Sequence, residues 1–560
     1  MAGIIQEVKY FWTKKCFAVG IPLMTLLSYL TLIINPTVSE DDTAFRLYYV
    51  EGVSPAMGRW CLYLVNKLFP LDYNPHFVEA CGLAVFCLSV TLWCAVFHRM
   101  FGERVSALGY TVFGAVMLSS PILSEVVVWY LQDGIYMGYG FTALAVLFGM
   151  EAFRKGKAGC ENRAEGKKTK WGGCLQLVIS AAFLTAALGC YEAFMIVYLM
   201  AAVMNFLLIR GLGREDYDPR PSRWLVKTGA ACVLAMVFRE LVIGGLVLLF
   251  GLEEQRGVLA TRGILDILKG FGSGQGDLWL VLKEFFVKYY IHGLVYVPVF
   301  IAVLAVGILV IWALAAAVRR RDGWVFAAAA GIILLPWLMV FLEGRATYYR
   351  ASEYVPLLTG FAVLLLAYEV KRLDRRPVRA AALFLALVLL YRQGYEMNKW
   401  LYIDAMKYED DRRTASAVAL ELIRTCDEGK PVCVVGNYRT PPSLLDKLYT
   451  PSWSKKYMLV KWLAEAVDGR IFEKYDTPYG YAAAETPQLS MLGWASQAFF
   501  GTDRELVKFW RMLGFEFAED GNAEHYLYAK ELMREAPAWP KEGSIVELED
   551  YIIVNFGNFD

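Results

Sequence analysis

The chain has 560 residues, 57% of them hydrophobic and 15% aromatic, and its 56 lysines and arginines nearly balance 55 aspartates and glutamates. Such a composition is too apolar for a soluble globular protein of this length, so the chain reads as an integral membrane protein. The formal net charge of +1 says nothing about partners, so charge has to be read loop by loop, and no basic aromatic face points to nucleic acid.

Apolar runs of the roughly 20 residues that cross a bilayer occur near 16–35, 77–98, 104–122, 134–153, 174–190, 191–209, 225–251, 291–317, 324–342, 355–370 and 378–396. They predict a polytopic α-helical membrane protein with about eleven transmembrane helices. The first run follows Lys14-Lys15 and lacks a small-residue cleavage site, which reads as a retained signal anchor with a cytoplasmic N-terminus. Basic residues crowd alternate loops, as the positive-inside rule requires. Arg154, Lys155, Lys157, Arg163, Lys167, Lys168 and Lys170 share one, and Arg210, Arg214, Arg220 and Arg223 another. Arg319-Arg320-Arg321 and Lys371-Arg372 with Arg375-Arg376 complete the set. The same parity places 36–76, 252–290, 343–354 and everything after about 397 outside. Two domains are expected: a membrane domain over 1–397 and an extracytoplasmic α/β domain over 398–560. The latter shows helical patterns at 404–426, 459–467 and 504–513 and strand patterns at 431–435 and 551–554.

The first outside segment carries Ser39-Glu40-Asp41-Asp42, then Arg46 and Gly58-Arg59. Three adjacent carboxylates at low dielectric do not all ionise cheaply, so one of Glu40, Asp41 and Asp42 is suited to accept a proton. The same acids also fit a cap for residues 43–50, and the residue pattern supports both readings. Downstream, 57–69 has amphipathic spacing too short to span, which suits a helix lying at the membrane surface.

A second acidic position lies at Glu125 and at Gln132-Asp133, beside the interfacial aromatics Trp129 and Tyr130. It fits either sugar binding or a polar re-entrant turn. Tyr191-Glu192 falls at the next outer turn, and Arg239-Glu240 falls inside an apolar run, where a structural ion pair with other helices is the plainer reading. The outside segment 343–350 is basic against the charge rule, and Arg345 and Arg350 suit a phosphate, of a substrate or of lipid headgroups. His76, His98, His292 and His525 are scattered and form no metal or triad pattern. Cys61, Cys81, Cys87, Cys94, Cys174, Cys190 and Cys232 lie in or beside apolar runs as small hydrophobes. The separation of Cys426 and Cys433 permits a disulfide in an exported tail.

The order of these motifs resembles the type II O-antigen glucosyltransferases, bacterial polytopic enzymes of the GT-C superfamily associated with serotype conversion. The resemblance rests on Asp41-Asp42 followed by Arg46 and Gly58-Arg59, the surface helix, Tyr130 with Gln132-Asp133, and Tyr191-Glu192-Ala193. It extends into the tail at Lys430-Pro431-Val432 and from Trp539-Pro540 to Ile552-Ile553-Val554. Glu192 departs from it, standing where a glutamine is expected. The resemblance implies a GT-C-like fold in the bacterial cytoplasmic membrane and transfer of a sugar from a polyprenyl-phosphate donor to a cell-surface glycan at the outer face. It also implies that Asp41 and Asp42 are catalytic, with Glu40 weaker.

Chemistry agrees with that expectation. One positioned carboxylate suffices for inversion. A phosphate leaving group needs cations, which Arg46, Arg59, Arg345 and Arg350 offer. No Gly-rich phosphate loop points to a nucleotide sugar. Asp41 with Asp42 also suits a divalent cation, though spacing assigns no further ligand. The rival reading is a transporter or flippase of lipid-linked sugars, which would favour inverted repeats, and none is visible.

Overall fold

The computed structural model describes residues 2–35, 37, 58–68, 75–127, 133–154, 168–251, 299–338, 352–427, 429–436, 438, 441, 462, 466–467, 505–518, 520–557 and 559. An amphipathic helix α1 (Ala2–Thr13) breaks at Lys14 and continues as α2 (Lys15–Ile34). There follow α3 (Trp60–Leu68), α4 (Pro75–Phe101), α5 (Ala107–Leu118), α6 (Asp133–Phe153), α7 (Lys168–Cys190) and α8 (Phe194–Leu212). The bundle is completed by α9 (Pro221–Phe250), α10 (Val299–Arg320), α11 (Gly323–Leu334), α12 (Tyr354–Leu373) and α13 (Arg376–Thr425).

Each apolar run expected to span contains helix among its described residues, but the run 104–122 is α-helical only over 107–118 and the run 191–209 begins with the 191–193 turn. Among these residues nine helices are long and apolar enough to cross a membrane, and two apolar helices, Ala107–Leu123 and Gly323–Leu334, are shorter. The helix ends follow local chemistry. Ser106 caps α5 by accepting from the Gly109 amide at 3.2 Å, Asp322 caps α11 through the Trp324 amide at 3.1 Å, and Gly213 closes α8 in the left-handed region. Pro221 opens α9 at a position where its missing N–H costs nothing.

The bundle packs as membrane helices do, through small residues and polar bonds. Gly138 of α6 lies against the Phe194 ring of α8, where any side chain would collide. Polar groups stitch α13 to its neighbours: the Ser119 hydroxyl donates to Gln393 at 2.9 Å and the Thr31 hydroxyl to Asn398 at 2.9 Å. Outward, Leu225, Val226, Val233, Leu241 and Leu248 of α9 are exposed, an apolar face that lipid would cover.

Alternating helix direction gives the bundle two ends. The proximal end holds α1 and the short turns at 213–220 and 321–322. The distal end holds the C-terminus of α2, α3, the 191–193 turn and the start of α12.

The change from apolar to charged residues near 397 falls in the middle of α13. No proline interrupts 378–425, so one helix of 50 residues, about 75 Å at 1.5 Å per residue, runs from the bundle to the C-terminal elements. The span at 378–396 and the helical pattern at 404–426 are therefore one element. Beyond it lie β1 (Val432–Val435), α14 (Glu505–Met512), α15 (Ala523–Leu532), β2 (Ile545–Glu547) and β3 (Ile552–Asn555). The sheet order is β1-β3-β2, with β1 parallel and β2 antiparallel to β3.

Strand alternation divides the sheet residues between two faces. Val432, Val434, Ile552 and Val554 pack with Ala415, Val418, Ala419 and Leu422 of α13 and with Phe509 and Trp510 of α14. Cys433, Val435 and Ile553 pack with Ala529 and Met533. Cys426 and Cys433 belong to these opposite clusters, and no disulfide joins them. The strands expected at 431–435 and 551–554 and the helix expected at 504–513 are all present. Of the helix expected at 459–467, only 462 and 466–467 are described, and they are helical.

Candidate active site

Three chain segments meet at the distal end around Arg239. Gly58 has φ +88° and turns the chain directly above the Arg239 guanidinium, so a Cβ there would both strain the backbone and strike that group. The turn delivers Arg59 over the Tyr191 ring, 5.2 Å from its centroid. It also starts α3, whose Trp60 ring packs on Gly189 and whose Leu62 covers Gly134 in the first turn of α6. Cys61, Leu62 and Val65 are buried, so α3 is held against the distal ends of α6 and α7.

The turn between α7 and α8 is formed by backbone bonds from Phe194 N to Tyr191 O at 3.3 Å and from Met195 N to Glu192 O at 3.1 Å. It presents Glu192 to α9. Arg239 donates from Nη2 to Glu192 at 3.0 Å and from Nη1 to Glu240 at 3.2 Å. The Arg239 side chain is only 12% exposed, whereas that of Glu192 is 41% exposed. The arginine is long enough to fold back to Glu240 of its own helix while reaching Glu192 in the turn between α7 and α8.

The stems of the 36–76 segment converge at the same end. The Ile33 carbonyl and His76 Nδ1 lie 2.7 Å apart, which gives His76 a structural role. The Thr37 hydroxyl donates to Asp404 of α13 at 2.8 Å. Asp404 is 3% exposed, and burial pushes its carboxyl up to about 7, against the opposing pull of Thr37 and Lys407. It sits beyond the apolar stretch of α13, on the side of the C-terminal elements. At the start of α12 the Tyr139 hydroxyl donates to the Glu353 carbonyl at 2.7 Å, so residue 353, which follows the basic 343–350 segment, is fixed to α6.

Of the residues singled out by sequence, Arg59, Tyr191 and Glu192 are brought together here. Asp133 opens α6, one residue from the Gly134 contact with α3. Glu40, Asp41, Asp42, Arg46, Gln132, Arg345 and Arg350 lie outside the described residues. Glu125 belongs to a short helix, Ser124–Val127. The buried acids that sequence reasoning passed over include Glu79, Glu353 and Asp404. Glu79 was detectable as a carboxylate inside an apolar run; Asp404 was not, because its burial depends on a contact with Thr37 across 367 positions. Among the described residues no group of three or more His, Cys, Asp or Glu is placed to hold a metal ion.

Residues 30–367 match the family described as glucosyl transferase GtrII. The chain belongs to that family. The match begins in α2 and ends in α12, so this GtrII-family chain carries the Arg59, Tyr191, Glu192 and Arg239 cluster and both basic and acidic segments within the matched residues. Its C-terminal helix and sheet lie beyond them, as does the likeness read at Lys430–Val432 and after Trp539. No curated protein and no solved structure matches the chain.

Proposed function

We propose that this membrane glucosyl transferase is an inverting enzyme of the GT-C kind. In this reading it takes a sugar from a polyprenyl-phosphate donor and delivers it to a cell-surface glycan, an O-antigen or a similar polymer. The distal end then faces the outside of the bacterial cytoplasmic membrane, with the N-terminus cytoplasmic and 398–560 a domain on the acceptor side. The proximal turns hold Arg214, Arg220, Arg223 and Arg319 to Arg321, which supports that orientation.

One observation carries the reading within the family: Arg59, Tyr191, Glu192 and Arg239 gather at the same end as the stems of the segment that holds Glu40, Asp41 and Asp42. The acceptor hydroxyl gives its proton to Asp41 or Asp42 while its oxygen attacks the anomeric carbon. The bond to phosphate breaks on the opposite face, and its electron pair leaves on the phosphate oxygen. Arg59, with Arg46, Arg345 and Arg350, stabilises that charge. Tyr191, Glu192, Gln132 and Asp133 bind sugar hydroxyls, and the Arg239 pair holds Glu192 in place for it.

Purified protein in proteoliposomes with polyprenyl-phosphate [14C]glucose and acceptor envelopes tests this. Release of polyprenyl phosphate coupled to labelled glycan is the expected result. Labelled glycan formed only from a nucleotide sugar would overturn it.

A further inference from the structure

Asp404 is a buried acid in an unusual place. It lies on α13 past the apolar stretch, its described hydrogen bond comes from the Thr37 hydroxyl, and Thr37 is itself 4% exposed. Thr37 stands four residues before Asp41 in the sequence. A carboxyl withdrawn from water costs desolvation that the Thr37 hydroxyl and the nearby Lys407 offset only in part. Packing of α13 against its neighbours does not require it, since Asn398 already bonds Thr31 and the Leu27 carbonyl of α2, and Gln393 bonds Ser119 at the end of α5. At 3% exposure Asp404 offers little surface to a substrate, so a positioning role fits it better than direct proton transfer.

The two partners have different anchorage. Thr37 follows the end of α2, and beyond it the chain enters the acidic segment. Asp404 sits in the middle of a 50-residue helix that is held by the bundle at 393–398 and by the sheet at 415–422. The fixed partner is therefore Asp404, and the group it restrains is the root of the acidic segment.

We infer that Asp404 is a positioning residue for the transfer reaction: through its hydrogen bond from Thr37 it sets where the acidic segment leaves the membrane helix. This rests on the reading that Asp41 or Asp42 is the base. A hydrogen bond that holds a base affects turnover more than donor binding, because misplacement is felt in the transition state.

The test uses full-length protein in proteoliposomes with polyprenyl-phosphate [14C]glucose. Thr37→Val and Asp404→Leu remove one partner each, while Thr37→Ser and Asp404→Asn keep a donor and an acceptor. The first two should lower kcat about 10-fold with donor KM within about 2-fold, and their double variant should be no slower than the slower single. Thr37→Ser and Asp404→Asn should stay within about 3-fold of the parent. Full kcat in Thr37→Val and Asp404→Leu, or multiplicative losses in the double, would overturn the inference. A second measurement does not depend on turnover: maleimide labelling of Ser39→Cys, read by peptide mass spectrometry. It should quicken about 5-fold or more when Thr37→Val or Asp404→Leu is added. An unchanged labelling rate refutes the restraint, whereas a parent that transfers no sugar from the polyprenyl donor refutes the functional reading instead.

Discussion

The two ends of the bundle both carry guanidinium–carboxylate pairs and differ in the acids that accompany them. At the proximal end carboxylates meet guanidinium groups: Arg99 bridges Glu7 at 3.1 Å and Glu151 at 2.9 Å, and Arg210 meets Asp322 at 2.6 Å. Asp218 accepts from Arg220 at 2.8 Å and Arg223 at 2.9 Å. The hydrogen bonds from Arg220 hold the Asp218 carboxyl well below the usual range. At the distal end Arg239 pairs with Glu192 and Glu240, and buried acids stand at the same end. Asp404 is pushed up to about 7, Glu79 and Glu353 are inside the protein, and Arg59 spends its face on a tyrosine ring. Both ends use ion pairs to hold turns, and the distal end adds the buried acids Asp404, Glu79 and Glu353.

Substitutions at the two ends should therefore separate activity from stability. Asp41→Asn and Asp42→Asn bear on the largest effect: loss of the base should lower turnover by roughly 10²–10⁴-fold in one of the two, with the amount of folded protein unchanged. Full activity in both would remove the base from this segment. Arg239→Gln leaves Glu192 facing an amide and should destabilise the protein by about 1–3 kcal/mol, read as a lower midpoint of thermal unfolding in detergent. It should also raise donor KM, because Tyr191 and Glu192 share the turn it holds. Asp218→Asn, the control from the proximal end, should destabilise by about 1–2 kcal/mol and leave kcat and KM within about 2-fold. A change in turnover there would erase the distinction between the ends.

The smallest effect is a pH dependence. Asp404 has its folded-state pKa raised above the ordinary carboxyl value, so its contribution to stability is fully present below about 4 and is lost as pH rises toward about 7. Asp404→Asn removes that loss. Its unfolding midpoint relative to the parent should rise between pH 4 and pH 7.5, and a difference independent of pH would show that the carboxyl is not held as described.

Much of this arrangement is legible in the sequence, and what is not has identifiable causes. Spans are fixed by the length of apolar runs, so α2, α4 and α6 to α9 fall where the runs predict. The C-terminal strands are legible because Val432 to Val435 and Ile552 to Val554 are short β-branched runs among polar residues. The unity of α13 is hidden, because composition changes at its midpoint while its backbone hydrogen bonds do not. Arg59 and Tyr191 were each visible as outer-face residues, yet nothing in their 132-residue separation (191 minus 59) announces that a cation lies on a ring. The Arg239 pair needed the reach of a long side chain, which helical spacing alone does not convey. Asp404 was hidden for a similar reason: burial of a polar residue in a helix is decided by what docks on it.

The unbroken α13 also sets a rule for rearranging the chain. Each residue of helix advances 1.5 Å and turns about 100°, so a single insertion between Asp404 and Ala415 would swing the sheet around the helix axis by more than a quarter turn. Exchange of C-terminal regions between related chains should succeed when the join preserves helical phase, in steps of about seven residues. It should fail when the join shifts the phase, even if every residue on both sides is kept.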